Sequence, residues 1–238
     1  MNDRLDAATM PMLSFLGVSR VYEQGAQQVR ALGPLDLDIH TGEFVAIMGP
    51  SGSGKSTLLS LAGTLDQPTS GEVRVRGAKL SALDPRQAAA LRRRTIGFVF
   101  QNLNLLPGLT ALENVALPLD LDGVEPTRAR TEALAILSRM QIDRLAGRYP
   151  DDLSGGEQQR VAVARACVGS RSLLLADEPT GSLDTVTGEL VMRLLRGRCE
   201  AGLTVVLVTH DASHAAWADR IVRLKDGVID VDVRADHR

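Results

Sequence analysis

The nine residues Gly49-Pro50-Ser51-Gly52-Ser53-Gly54-Lys55-Ser56-Thr57 fit the pattern G-x-x-x-x-G-K-[ST], directly after the apolar run Phe44-Val45-Ala46-Ile47-Met48. Such a loop works only between a buried strand and a helix. Its glycines let the backbone wrap so that successive N–H groups face one anion, and the helix start adds its positive end. Both flanks are present, because Glu43–Met48 reads as a central strand and Ser56–Leu65 as a helix. A chain committed to this unit is committed to an α/β core. Within the loop Lys55 supplies a mobile cation for β- and γ-phosphates, Ser56 a hydroxyl for Mg²⁺, and Thr57 reaches the α-phosphate.

The remaining pattern alternates strands and helices. Leu13 to Ile47 is β-like, with expected breaks at Gly25, Gly33-Pro34 and Thr41-Gly42. Gly71–Gly77 alternates Val73 and Val75 with Arg74 and Arg76, Pro85–Arg94 reads as a helix, and Ile96–Phe100 as a strand. From Asn102 to Arg171 strand signals vanish and helical periodicity dominates, notably over Thr127–Met140 and Gly155–Val168. The apolar strands Ser172–Ala176 and Thr204–Thr209 then flank a helix at Gly188–Arg198, and Ile221–Lys225 and Val228–Val233 face each other across Asp226-Gly227. This organisation predicts a disordered tail over residues 1–11 and one domain over 12–238, with a helical part at about 102–171.

A net charge of −2 and 3% aromatic residues leave neither a basic field nor stacking platforms, which excludes a nucleic-acid partner. The arginine triplet Arg92-Arg93-Arg94 is expected to be a solvated helix end. No run of 18 apolar residues is available to span a bilayer. Cys167 and Cys199 have no metal-ligand spacing and read as buried thiols.

Two further segments carry chemistry. Leu173-Leu174-Leu175-Ala176-Asp177-Glu178 is an apolar strand ending in two acids, at the end of a parallel sheet where ligands bind. Asp177 is placed to hold Mg²⁺, leaving Glu178 free to polarise an attacking water. Acids followed by Pro179 also suit a helix start, and both readings can hold. Leu153-Ser154-Gly155-Gly156-Glu157 contains an S-x-x-E capping box opening the helix Gly155–Val168. The box explains Ser154 and Glu157 but not the paired glycines, which weaken a helix start. A close approach to phosphate would repay them. Since the chain already has one phosphate loop, that implies a second contact, on another subunit's nucleotide.

These motifs, in this order, resemble the ATP-binding cassette (ABC) ATPases from about Leu13 to Val233. Gly49–Thr57 matches the Walker A loop, Gln101 the Q-loop glutamine, Leu153–Glu157 the signature and Leu173–Glu178 the Walker B strand. Ser182-Leu183-Asp184 is similar to the D-loop, with Ser182 where relatives often carry Asn or Ala, and His210 is similar to the switch histidine. The resemblance implies a P-loop NTPase core with a mainly parallel sheet, an antiparallel β subdomain and a helical insertion. It implies MgATP as ligand and a head-to-tail homodimer, with each ATP between one Walker A loop and the other chain's Ser154, Gly155 and Gly156. It further implies Tyr22 stacking on adenine, Gln101 sensing Mg²⁺ and the attacking water, His210 at the γ-phosphate, and Asp184 lining the dimer interface.

The stretches Leu65–Gly71 and Arg92–Pro118 resemble the branch containing lipoprotein-release and macrolide-export ATPases and the cell-division ABC ATPase. That branch implies a peripheral subunit on the cytoplasmic face of a bacterial membrane. It would drive a separate integral-membrane permease docked near Gln101–Pro118, where Leu103, Leu105, Leu106 and Leu109 also read as subdomain core. Alternatives are a soluble ABC ATPase acting on DNA or ribosomes and a cell-division-type regulatory ATPase. A monomeric kinase or GTPase fits poorly, for lack of an N-K-x-D segment and because of the signature.

Overall fold

The computed structural model describes residues 10–25 and 27–235. Of the expected tail, residues 1–9 lie outside that range, whereas Met12 is already fully buried.

Three strands follow from apolar runs and fill the centre of one sheet. β3 (Phe44–Met48), β7 (Leu173–Asp177) and β8 (Thr204–Val208) are buried almost throughout, as strands covered on both faces must be. They join β6 (Ile96–Val99), β9 (Arg220–Lys225) and β10 (Val228–Arg234) in a six-stranded sheet of order β10-β9-β3-β8-β7-β6. All its pairs are parallel except the β9–β10 hairpin. A second, antiparallel sheet has the order β2-β1-β4-β5, from β1 (Leu13–Gln24), β2 (Gln27–Ile39), β4 (Ser70–Val75) and β5 (Ala78–Lys79).

Alternate residues of the central strands feed two cores. Phe44, Ala46, Leu174, Ala176, Val205 and Leu207 face the helical layer. Val45, Ile47, Leu173, Leu175, Val206 and Val208 face the antiparallel sheet and α1 (Lys55–Ala62). Truncating any of the buried leucines to Ala should cost about 2–5 kcal/mol. The helical layer comprises α3 (Ala111–Asp120), α4 (Pro126–Arg139) and α5 (Gly155–Cys167). α2 (Pro85–Arg94) leads into β6, α6 (Thr185–Glu200) links β7 to β8, and the short α7 (Ala212–Ala215) follows β8.

Two local expectations are corrected. Gly33-Pro34 does not break β2, which runs through both residues. Pro34 sits on an edge strand, where a missing donor is harmless. Gly33 gives its N–H to the Gly227 carbonyl at 2.9 Å, and a Cβ there would meet Val228 at 2.8 Å, so the glycine admits the β9–β10 turn. The arginine triplet is not a free solvated end either. Arg92 donates to the Thr64 hydroxyl and carbonyl at 2.7 and 3.1 Å, while Arg93 and Arg94 share Asp122 at 3.2 and 2.6 Å, joining α2 to the turn after α3.

Candidate functional site

β3, β7 and β8 all point their carboxyl ends at one cleft of about 630 Å³. Its walls include Gly49 to Gly52, Gly54 to Thr57, Gln101, Asp177, Glu178 and His210, so the sheet topology gathers segments more than 150 residues apart in sequence. Val29, Arg30 and Ala31 of β2 close one side.

The loop after β3 is shaped by close approach. Gly49 and Gly54 have φ of 147° and 99°, and a Cβ on them would lie 2.1 Å from the Leu224 carbonyl oxygen and 2.4 Å from that of Ala31. No larger residue fits. Lys55 Nζ bridges the loop, donating to the Gly49 and Pro50 carbonyls at 2.8 Å each. Ser53 is buried beneath, and its hydroxyl has no partner among the described residues. Helix α1 starts at Lys55 with no side-chain cap and no acidic residue in its first turn. Elsewhere Asp84, Thr110, Ser154 and Asp184 cap α2, α3, α5 and α6. An uncapped helix start beside a lysine is the donor set that a phosphate would complete.

Asp177 ends β7, only 8% exposed. Burial pushes its carboxyl above the usual range, against a hydrogen bond from the Ser56 hydroxyl that pulls it down. A hydroxyl and a largely buried carboxylate side by side fit a hard divalent cation. Glu178 takes the left-handed conformation, φ 50°, which turns the chain sharply off the sheet. Its carboxylate accepts the His210 N–H at 3.0 Å and the Thr209 hydroxyl at 3.4 Å, and lies 2.8 Å from His210 Nδ1. The hydrogen bond and charge of Glu178 raise the pKa of the exposed His210 ring. His210, expected at the γ-phosphate, thus lines the cleft while holding Glu178.

Other expected residues lie off the cleft. Tyr22 pairs across the strands with Val29, which does line it, but the Tyr22 hydroxyl donates to Asp66 at 2.8 Å and Arg20 covers its ring at 4.4 Å. Ser154 and Glu157 form the expected capping box, with Glu157 accepting the Ser154 N–H at 2.9 Å and Ser154 accepting the Glu157 N–H at 3.3 Å. The Ser154 N–H, together with the Ser154 hydroxyl at 2.9 Å, holds the Glu157 carboxyl below the usual range. Gly156 has a reason within the chain, since a Cβ would approach Leu183 at 3.3 Å. Gly155 does not: the space beyond it is open. Asp184 caps α6 through the Thr187 N–H at 3.0 Å, beside a smaller pocket of about 280 Å³ that also touches Glu178 and His210.

Supporting residues went unnoticed in the sequence. Fully buried Asn114 bonds the Leu106 N–H and the Leu106 and Leu109 carbonyls, and Arg165 bonds the Leu103 and Asn104 carbonyls, so the loop after Gln101 is pinned. Buried Gln159 on α5 donates to the Glu178 carbonyl at 3.4 Å. Its place on the face of Val163 and Ala166, at helical spacing, was the readable signal.

A family profile described as ABC transporter matches residues 32–181. The chain is 49% identical over 224 residues to the macrolide export ATP-binding/permease protein MacB of Syntrophobacter fumaroxidans, covering 93% of this chain and 31% of that protein. The MacB of Hyphomonas neptunium is 46% identical over 221 residues, covering 93% and 34%. The chain thus spans about a third of the length of these curated relatives. Among solved structures, the ATP-binding cassette MJ0796 in a dimeric post-hydrolysis state bound to ADP and Pi superposes with a TM-score of 0.90 at 46% identity, covering 94% of this chain and 98% of that one. Another dimeric structure of MJ0796, a bacterial ABC transporter cassette, gives 0.91 at the same identity and coverage.

Proposed function

This chain belongs to the ABC transporter ATPase family, and we propose that it binds and hydrolyses ATP as a head-to-tail homodimer that drives an integral-membrane permease. The observation that carries the reading is the division of parts. The cleft holds an uncapped helix start, a bridging lysine, a carboxylate–hydroxyl pair and a clamped acid, while the Gly155 end of α5 faces open space.

In this reading the N–H groups of Gly52 to Thr57 and Lys55 bind the phosphates, and Lys55 exchanges its two carbonyl partners for phosphate oxygens. Ser56, Asp177 and Gln101 would hold Mg²⁺, which when bound offsets charge on the phosphate oxygens. Glu178 orients water and accepts its proton as the water oxygen bonds to the γ-phosphorus and the bond to the β–γ bridging oxygen breaks, leaving ADP and phosphate. His210 fixes the Glu178 carboxylate for that task. Ser154, Gly155 and Gly156 complete the partner chain's site, and Asp184 stands beside the interface. Tyr22, next to Val29, stacks at the adenine end on the ring face away from Arg20.

Residues 12–238 act as one ATPase unit. The pinned loop after Gln101, with Leu106 44% exposed, is the contact for the permease at the cytoplasmic face of the membrane. No helix among the described residues is long and apolar enough to cross a membrane itself. The test uses Glu178→Gln, which removes the base and keeps the nucleotide. Light scattering with MgATP should show the monomer mass doubling. A monomer at saturating MgATP would sink the sandwich.

A further inference from the structure

Two histidines four residues apart reach the same turn. Beyond Glu178 the chain runs through Pro179-Thr180-Gly181, closed by Gly181 N–H to the Glu178 carbonyl at 3.1 Å and Leu183 N–H to the Thr180 carbonyl at 3.0 Å. A left-handed non-glycine residue costs on the order of 1 kcal/mol, so the turn depends on ties from its surroundings. His210 supplies one, on the Glu178 carboxylate. His214 supplies another: its Nδ1 lies 3.0 Å from the Thr180 hydroxyl.

The second tie is built in. Thr180 is 5% exposed, so its hydroxyl has little water to turn to if the ring is lost. The His214 ring, itself 19% exposed, lies between Thr180, the Asp211 carboxylate at 3.5 Å and α6. There Gly188 stands against the ring, and an added Cβ would lie in ordinary contact, 3.5 Å from Nε2. Asp211 in turn caps α7 through the Ser213 N–H and hydroxyl, both at 2.7 Å. The segment from Thr209 to Ala215 thus grips the turn at two points. His214 lines the pocket that holds Asp184 but not the phosphate cleft.

We propose that His214 is a positioning residue for hydrolysis: through Thr180 it fixes the turn that aims the Glu178 carboxylate. This rests on the ATPase reading above. A group that sets the aim of the base without touching nucleotide acts on kcat and leaves KM alone.

The experiment measures steady-state ATP hydrolysis by the full chain, with melting curves for each variant. His214→Ala should lower kcat about 10-fold with KM for ATP changed less than about twofold. His214→Asn, whose amide can stand in for Nδ1, should recover most of the rate. Thr180→Val should match the loss and Thr180→Ser escape it. The double variant His214→Ala/Thr180→Val should be no worse than either single one, because both break one link. If His214→Ala fails to fold, the Thr180→Ser and Thr180→Val contrast decides. An unchanged kcat in His214→Ala or Thr180→Val, no rescue by Asn, or losses that multiply would each overturn the proposal. If the unaltered chain does not hydrolyse ATP at all, the ATPase reading fails first, which is a separate result.

Discussion

Helices α1 and α5 both start just after or within glycines, yet their first turns are finished in opposite ways. At α1 the chain withholds a cap, places no acidic residue in the first turn, and packs the loop so tightly that Gly49 and Gly54 cannot grow a Cβ. Lys55, Asp177 and Glu178 stand round that end. At α5 the chain supplies a full Ser154–Glu157 capping box, and Gly155 looks onto open space. The first end is gathered into a cleft by its own chain. The second is locally satisfied and has a bare surface toward whatever lies outside. On the proposed reading, the same motif physics yields a site in one place and half of an interface in the other.

The contrast breaks most visibly by damaging each end separately. Lys55→Ala should weaken nucleotide binding about 10- to 100-fold, since it deletes a charge-assisted contact to phosphate. Ser154→Arg should leave binding to the monomer within about twofold and lower turnover on the order of 100-fold, because a bulky cation blocks the partner. Equilibrium binding and steady-state turnover on the same samples separate the two. A Ser154→Arg variant that turns over at the normal rate would show that the α5 end serves no nucleotide.

A smaller effect concerns Asp177. Burial raises its carboxyl, so folding disfavours the charged form. Stability should then fall as pH rises from the ordinary carboxylate range through the raised value. Asp177→Asn, without nucleotide, should be more stable by on the order of 1 kcal/mol while losing MgATP affinity. A destabilised Asn variant in denaturant titrations would mean that Asp177 is a structural residue and not a cation ligand held under strain.

The smallest effect is at His210. Glu178 raises its pKa, so the link adds stability below the ordinary histidine range and loses it as pH rises through the raised value. The ring is 79% exposed, which keeps the energy small. NMR titration should show its midpoint moving down in Glu178→Gln. A midpoint that stays put would detach His210 from the acid.

Much of this is legible in the sequence. Runs such as Leu173–Ala176 announce strands buried on both faces, and the Ser154–Glu157 spacing announces a capped helix, because both signals are local. The phosphate loop, Asp177, Glu178 and His210 are legible as motifs, since they follow or end such strands, whereas Val29 to Ala31 of β2 carry no motif. What escaped depends on contacts between distant segments. Gly33-Pro34 looks like a break until the β9–β10 turn takes the Gly33 N–H, and Arg92 to Arg94 look solvated until Thr64 and Asp122 arrive. In sequence Gly156 is indistinguishable from Gly155, and only the fold brings Leu183 against it. That contact gives Gly156 a reason inside the chain beside the one proposed outside it.

The central claim is that one chain's cleft is completed by the other chain's α5. Mixing Lys55→Ala with Ser154→Arg tests it directly. In a head-to-tail dimer of the two, the Ser154→Arg chain brings an intact phosphate loop and the Lys55→Ala chain an intact Ser154–Gly155 end, which together rebuild one site. The account predicts that the mixture hydrolyses ATP well above the sum of the separate proteins, rising with total concentration. Turnover equal to that sum at every ratio would contradict it.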